Sequence, residues 1–224
     1  MAEKFTIDEA VQTGWSKFLE NVGPMLLFVS LPVIVIPIVL GVPEFAIQLM
    51  NYKGENNTLT MIGLLVQLLM LPVKTCVQIV LAMGMIRISL KALDGVPFSF
   101  NDYMEAAPNF LNFLAAGFIY GAMLMVGFIF LILPGLAVFV VFHWYGYLIL
   151  DKKMGPLQAL GGSLTLCKDA YMDLAILWLV IFAINIVGFI ALVIGLIPAQ
   201  LLTLLILARV YRRLVENTPE LASA

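Results

Sequence analysis

The stretch Leu59–Gly95, LTMIGLLVQLLMLPVKTCVQIVLAMGMIRISLKALDG, decides the fold of this chain. It is almost entirely apolar until its end, where two basic residues and then Gly95 form a pattern typical of a helix C-terminus. A continuous helix over Leu59–Ala92 would be roughly 50 Å long at about 1.5 Å per residue. Because the hydrocarbon core of a bilayer is only about 30 Å thick, we predict a helix that crosses a membrane and projects beyond it.

Two residues within this stretch are unusual for a membrane helix. Pro72 lacks a backbone donor and clashes with the preceding turn, so the helix is expected either to kink there or to break into two pieces. Lys74 lies in the middle of the apolar run. A lysine that faced lipid at this depth would cost about 3 kcal/mol or more. Its side chain is therefore expected to face protein or water, which makes it a candidate functional residue.

The composition predicts a membrane protein throughout. Of the 224 residues, 62% are hydrophobic and 12% are charged, and the mean hydropathy is +1.05. Soluble domains contain about 45–50% apolar and about 25% charged residues. The formal net charge of −2 lacks the basic excess of nucleic-acid-binding proteins. We predict a single all-α membrane domain over residues 1–224, with no nucleic-acid partner.

Six apolar runs predict a polytopic integral membrane protein with six transmembrane helices. Gly23–Pro24 should turn the chain into the first of them. Pro134–Gly135 should form a tight turn between the third and the fourth. The predicted spans cover residues of about 25–42, 59–86, 108–132, 136–150, 172–194 and 199–214.

Short amphipathic helices are predicted on the cytoplasmic side of the membrane. The first covers residues 6–20 and begins with a capping-box pattern, Thr6 followed by Glu9. It could lie along the headgroups or pack on the bundle as an ordinary lead-in helix. Two further helices are predicted from about Asn101 and from Pro156.

These helices suggest an internal repeat. Three times the chain runs from a short helix into a helical hairpin. The sequence VGFI occurs in the second and third hairpins, at Val126–Ile129 and Val187–Ile190. Four shared residues in an apolar background could also arise by chance, so a three-unit repeat and a coincidence both stay open.

The basic residues predict the orientation. Only Lys53 falls on the outer side of the six-span arrangement, and Lys74 falls within the membrane. Since cytoplasmic loops carry an excess of lysine and arginine, we expect both termini to be cytoplasmic. The ten residues predicted inside are Lys4, Lys17, Arg87, Lys91, Lys152, Lys153, Lys168, Arg209, Arg212 and Arg213.

Polar residues within the predicted spans are the candidate site. Thr60, Gln67, Lys74 and Gln78 are spaced by seven, seven and four residues, which places them near one face of a helix. Counting along the spans places His143 and Asn185 at a depth in the membrane similar to that of Lys74. It also places Glu44 within reach of the Lys74 side chain. The candidate cavity-lining residues are Lys74, Glu44, Gln67, Gln78, His143 and Asn185.

A structural role for the same residues stays open beside the cavity. Lys74 could satisfy carbonyls freed by Pro72, or it could pair with Glu44. The amide side chains could hold neighbouring helices together by hydrogen bonds.

Motifs for catalysis and for cofactors are missing from the sequence. It contains no zinc-protease motif, nucleophile elbow, phosphate-binding loop or dinucleotide fingerprint. The one histidine, His143, cannot build a multi-histidine metal site. We therefore predict a protein that is not an enzyme and that carries no cofactor and no metal.

Four motifs carry a resemblance to a known group of membrane proteins. They are GMIRISLKALDG at Gly84–Gly95, FSFNDYMEAAPNFLNFL at Phe98–Leu114, Leu133–Pro134–Gly135, and YLILDKKMGPLQALGGS at Tyr147–Ser163. The chain resembles the bacterial and archaeal six-span proteins that include the membrane domain of some glycerophosphodiester phosphodiesterases and related uncharacterised inner-membrane families. His143–Trp144 departs from that pattern.

This resemblance implies a location in the bacterial cytoplasmic (inner) membrane and a link to lipids. No segment resembles the hydrolase domain, so no catalytic residue is carried over. We expect either a transporter, channel-like or lipid-handling module with a polar cavity around Lys74, or a non-catalytic membrane scaffold or assembly partner. The expected partners are membrane lipids, together with a second copy of the chain or another protein.

Overall fold

The computed structural model describes residues 5–51, 57–168, 170–191 and 195–222, with only the backbone of the last residue. All regular structure in these ranges is helical. Lys4, predicted on the inner side, Lys53, predicted on the outer side, and the end of the predicted span 172–194 lie outside the described residues. The helices are α1 (Ile7–Met25), α2 (Leu31–Met50), α3 (Asn57–Leu93), α4 (Asn101–Ala106), α5 (Phe110–Phe130), α6 (Ile132–Phe142), α7 (Tyr145–Lys152), α8 (Pro156–Cys167), α9 (Tyr171–Ile190), α10 (Leu196–Glu216) and α11 (Pro219–Ala222).

The first helical stretch corrects two predictions. The chain does not turn at Gly23–Pro24, because helix α1 continues through a π-helical turn at Leu26–Ser30 directly into α2. Such π turns occur as single-turn bulges inside otherwise continuous α-helices. The capping box is also wrong, since Thr6 makes no side-chain cap. Glu9 instead accepts charge-assisted hydrogen bonds from Arg209 and Arg213, which are stronger than bonds between neutral groups.

Helix α3 is continuous through Pro72 over its 37 residues, so the predicted break does not occur. Neighbouring groups in membrane helices commonly compensate for a proline's missing donor. The helix ends as predicted before Gly95, whose φ is 71°. The Gly95 amide donates to the Ala92 carbonyl, and the Val96 amide donates to the Lys91 carbonyl. These two bonds form a Schellman cap.

The second hairpin, α5 and α6, turns more tightly than the sequence predicts. Leu131 alone is extended between the helices, and Pro134–Gly135 lies inside the first turns of α6 instead of forming the loop. Proline is tolerated there because the first amides of a helix have no intrahelical partner. The predicted fourth span is also divided, since His143 and Trp144 separate α6 from α7.

Helix α10 lies at the centre of the bundle. Twelve of its 21 residues are buried, and it packs against α1, α3 and α9. By length and composition, five other helical stretches among the described residues could cross a membrane. These are Ile7–Met50, Asn57–Leu93, Asn101–Phe130, Ile132–Lys152 and Tyr171–Ile190.

The hairpin of α2 and α3 stands apart from this core. Every buried residue of α3 lies from Leu81 onward, and the only buried residue of α2 is Pro32. The C-terminal part of α3 packs into the bundle, while none of its first 24 residues, 57–80, is buried, and α3 also contacts α2. The predicted polar stripe of α3 therefore begins outside the bundle.

Glycines bring the arms of the other two hairpins together. A Cβ atom at Gly127 would lie 3.0 Å from the Cα of Gly135, and one at Gly188 would lie 2.7 Å from the carbonyl oxygen of Gly195. Gly127 and Gly188 occupy the same position in the two VGFI sequences. Small residues let helix backbones approach closely in membranes. The shared sequence thus makes the same contact twice.

We expect Gly188→Ala to destabilise the protein by about 1–3 kcal/mol, because the added methyl group meets backbone atoms that cannot move independently. Thermal unfolding of the purified protein in detergent would measure the loss. Gly41→Ala is the matched control, since no atom lies within 4 Å of its added Cβ. Equal melting temperatures for the two variants would show that the close contact between Gly188 and Gly195 tolerates an added methyl group.

Candidate functional site

The predicted site residues Lys74 and Glu44 form an ion pair between α3 and α2. The Nζ atom of Lys74 lies 2.7 Å from Oε2 of Glu44, and both side chains are largely shielded, at 30% and 20% exposure. The second carboxylate oxygen of Glu44, Oε1, is buried and has no hydrogen-bond partner among the described residues. The charge of Lys74 is thus balanced within the hairpin.

A small cavity of about 180 Å³ lies between the two arms of the hairpin. Glu44 and Gln67 line it, together with Gln48. The side-chain amide of Asn51 donates a hydrogen bond to the Thr60 hydroxyl at 2.7 Å, between the same two arms. Lys74 is not one of the lining residues. This cavity is small beside ligand pockets, which usually measure about 300–1,000 Å³.

The other predicted residues lie elsewhere. Gln78 is exposed on α3 and lines neither this cavity nor the larger one inside the bundle. His143 and Asn185 both line the larger cavity. The structure therefore divides the predicted set: Lys74, Glu44 and Gln67 lie in the hairpin, and His143 and Asn185 lie in the bundle.

The larger cavity, which we call the central cavity, has a volume of about 490 Å³ and lies among α3, α5, α6, α7, α9 and α10. Its size is within the usual range for ligand pockets. Helix α3 contributes an apolar wall that includes Met85. The polar and aromatic side chains that line the rest are Phe113, Tyr120, Phe139, His143, Tyr145, Tyr147, Trp178, Asn185, Gln200 and Thr203.

Two aromatic clusters line the central cavity. In the first, the ring centroid of Trp178 lies 4.4 Å from that of Phe139 and 4.8 Å from that of His143. In the second, the ring of Tyr145 lies 5.4 Å from those of both Phe113 and Tyr120. These separations are typical of tilted and edge-to-face aromatic contacts. The first cluster joins α6 to α9, and the second joins α5 to α7.

An amide network borders the same cavity. The side-chain amide of Asn185 donates to the Ile181 carbonyl at 2.8 Å and to the Thr203 hydroxyl at 3.3 Å. Gln200 donates to the Asn185 side-chain oxygen at 2.9 Å. By contrast, the indole N–H of Trp178 is buried and meets no acceptor among the described residues. Buried donors are normally paired; among the described tryptophans, the indole N–H of Trp144 is also buried without an acceptor, but Trp144 does not line the cavity.

The arginines near the end of α10 bind the ends of other helices. Arg212 contacts Asp151 at 2.9 Å and Asp94 at 2.6 Å, and so joins α10 to the ends of α7 and α3. The Tyr211 hydroxyl also donates to Asp151, at 2.9 Å. Because one guanidinium can bridge two carboxylates through its planar fork, Arg212 holds three helices at this end of the bundle.

A second group of ion pairs fixes α4 to the end of α3. Arg87 pairs with Asp102 and Glu105, and Lys91 also pairs with Asp102. Asp102 is only 1% exposed, and its other oxygen accepts a hydrogen bond from the Ser99 amide at 2.8 Å. These basic residues, which the sequence presents as orientation signals, thus also have structural partners.

Sequence reasoning missed Trp178, Gln200, Thr203 and Tyr120. Gln200 and Thr203 are three residues apart in the predicted sixth span, and helical spacing of two polar residues could have identified them. For Trp178 and Tyr120 there is no such signal, since aromatic residues are common in membrane helices.

Metal binding has no support in the described part of the chain, where no three His, Cys, Asp or Glu side chains come together in a metal-binding arrangement. Comparison with protein-family models, with curated proteins and with solved structures finds no match.

Proposed function

We propose that this chain is an integral membrane protein that binds a lipid or another small amphiphile in its central cavity. The cavity itself is the observation that carries the proposal. Side chains from six helices converge on a space of about 490 Å³ that combines apolar, aromatic and hydrogen-bonding surfaces. Such a combination is typical of small-molecule sites. The protein would act by binding, without catalysis, as a carrier or lipid-handling module.

We place the binding site in the central cavity instead of around Lys74. The charge of Lys74 is balanced by Glu44, and the cavity beside this pair is small. In this proposal the pair stabilises the α2–α3 hairpin.

The proposed membrane arrangement has six spans, with α10 as the sixth and both termini in the cytoplasm of a bacterium. Helix α10 carries three arginines, but their end of the helix is held by carboxylates on α1, on α7 and directly after α3. The excess of basic residues at this end supports the orientation. The glycine contacts at Gly127 and Gly188 support a repeat of helical hairpins. The resemblance to six-span membrane domains supports the link to lipids.

Filling the cavity tests the proposal. Ala82 lines the cavity from α3, so Ala82→Phe should occupy part of the space without removing a hydrogen bond. Native mass spectrometry of protein purified from membranes in mild detergent should show a bound lipid in the unchanged protein and little or none in the variant. Gln78→Leu, on an exposed position of the same helix, is the control and should retain the lipid. Equal lipid content in all three proteins would overturn the proposal.

A scaffold or assembly role is the second candidate, and the α2–α3 hairpin favours it. The hairpin projects from the bundle with exposed apolar side chains such as Leu68 and Leu69, and Gln67 and Gln78 on α3 are exposed as well. Amides facing lipid lack hydrogen-bond partners, whereas a neighbouring helix could supply them. A stoichiometric second copy or partner protein, co-purified in mild detergent and lost in Gln67→Leu/Gln78→Leu, would support this role. A solitary protein would count against it.

A further inference from the structure

We propose that the ligand of the central cavity is a neutral quinone-type lipid, with a planar ring that carries hydrogen-bond acceptors and a single long apolar chain. This inference rests on the proposed binding function and names the class of ligand. Four observations support it: the two aromatic clusters, the indole N–H of Trp178 that has no acceptor, the lack of charged side chains among the described lining residues, and a second cavity beside the central one.

The aromatic clusters favour a flat ring. Trp178 belongs to one cluster and Tyr145 to the other, and both line the same space. No ring contact joins the two clusters directly among the described residues. A planar ring placed between them could stack on or meet the edge of aromatic side chains on both sides. A branched glycerol headgroup would gain no comparable contact.

The hydrogen-bonding groups of the cavity favour a ligand that carries hydrogen-bond acceptors. The indole N–H of Trp178 can only donate, and it is buried without an acceptor. The Thr203 hydroxyl accepts from Asn185, which leaves its own proton for a further bond. Gln200 uses one amide hydrogen on Asn185, and the amide carries two. The carbonyl oxygens of a quinone ring are acceptors and would satisfy such donors.

Charge argues against a phospholipid headgroup in this cavity. None of the described residues that line it is lysine, arginine, aspartate or glutamate. The basic side chains Arg87, Lys91 and Arg212 are engaged with carboxylates at the ends of helices. An ionised phosphate in the cavity would therefore be desolvated without a counter-charge, which is strongly unfavourable. A neutral head avoids this penalty.

A neighbouring apolar cavity offers a place for the chain of the ligand. It measures about 320 Å³ and is lined by side chains that include Val33, Ile34 and Leu201. Met85, Gln200 and Leu204 line both cavities, so the two spaces lie side by side. Methionine is unbranched and adapts readily to its surroundings. A chain that displaced the Met85 side chain could extend from the central cavity into this second space.

The test uses the full chain in nanodiscs made of quinone-free phosphatidylcholine. Of the three tryptophans, Trp15 is exposed on α1, so a Trp15→Phe background leaves Trp144 and Trp178 as fluorescent reporters. Decylubiquinone should quench their fluorescence saturably. Thr203→Val and Gln200→Leu should each weaken its apparent affinity about tenfold, the effect of losing one hydrogen bond to the ligand. Gln78→Leu is the matched control and should bind as the background protein does.

Val33→Phe tests the position of the chain, because Val33 lines the second cavity but not the central one, and a larger side chain there fills part of that second space. It should weaken decylubiquinone at least tenfold, while a ring-only probe, 2,3-dimethoxy-5-methylbenzoquinone, should bind as before. Circular dichroism and thermal unfolding verify that each variant is folded. Two folded variants that both bind decylubiquinone normally, Thr203→Val and Val33→Phe, would overturn the inference.

The remaining outcomes separate the ligand class from the binding function. Quenching that does not saturate and is equal in all variants reports only partition into the bilayer, and it overturns the quinone assignment. If dioleoylglycerol binds and Ala82→Phe abolishes its binding, while decylubiquinone does not bind, the cavity is a lipid site and only the quinone assignment fails. If neither probe binds and no lipid co-purifies, both proposals fail.

Discussion

Replacing Gly84 with alanine is expected to destabilise the protein by about 3 kcal/mol, the upper end of the usual cost of overpacking a core. The added methyl group would coincide with the ring of Tyr103, which is buried. The ring cannot withdraw freely, since its hydroxyl donates to the carbonyl oxygen of Phe28 at 2.7 Å. Phe28 lies in the π turn between α1 and α2. The variant should therefore loosen the contact of α4 with both α3 and the first helix.

Thermal unfolding in detergent, or the fraction of monodisperse protein after purification, would measure this effect. The matched control is Gly121→Ala on α5, where no atom lies within 4 Å of the added Cβ. Because alanine favours helix by up to about 1 kcal/mol over glycine, the control should be unchanged or slightly stabilised. A Gly84→Ala protein as stable as the control would show that Tyr103 does not hold these helices together.

Lys74→Met is the second variant with a large expected effect. It would leave the Glu44 carboxylate, which is only 20% exposed, without its ionic partner, at a cost of about 3 kcal/mol. We expect the variant to accumulate poorly in membranes. The double variant Lys74→Met/Glu44→Gln removes both charges and should recover most of the accumulation, because no unpaired charge remains. Quantitative immunoblotting of membrane fractions would measure both.

The double variant also separates the two roles of Lys74. If it accumulates and still retains the co-purified lipid, the ion pair is structural, as we propose. If it accumulates but loses the lipid, Lys74 takes part in ligand binding, and the site extends into the hairpin. If Lys74→Met alone accumulates normally, the pair contributes little to stability.

The helices were the most predictable part of this protein. The end of α3 follows from local chemistry, because Gly95 alone in that turn tolerates a positive φ without strain. The continuation of α1 beyond Pro24 could not be predicted from the local sequence. Whether a helix bends or ends at proline depends on what satisfies the neighbouring backbone groups. The same helical stretch also continues through Pro32, which has no amide to bond the Phe28 carbonyl four residues earlier, and the Tyr103 hydroxyl, from a distant segment, bonds that carbonyl instead.

Only part of the candidate site could be predicted from the sequence. Counting residues along a helix estimates depth in the membrane but gives no lateral position. His143 and Asn185 line one cavity, whereas Lys74, estimated at a similar depth, lies in the projecting hairpin. Trp178 could not be distinguished from other aromatic residues, because its unpaired N–H depends on which acceptors the folded chain places near it.

The length of α3 ties the hairpin to the thickness of the surrounding bilayer. Its 37 residues extend roughly 55 Å, and helices that exceed the hydrocarbon thickness respond by tilting or by thickening the lipid locally. Only the C-terminal part of α3 is fixed in the bundle, so adaptation would fall on the half that carries Lys74. In a thinner membrane the hairpin would tilt more from the membrane normal, and in a thicker membrane it would tilt less. The protein would thus have a preferred bilayer thickness, set by one unbroken helix.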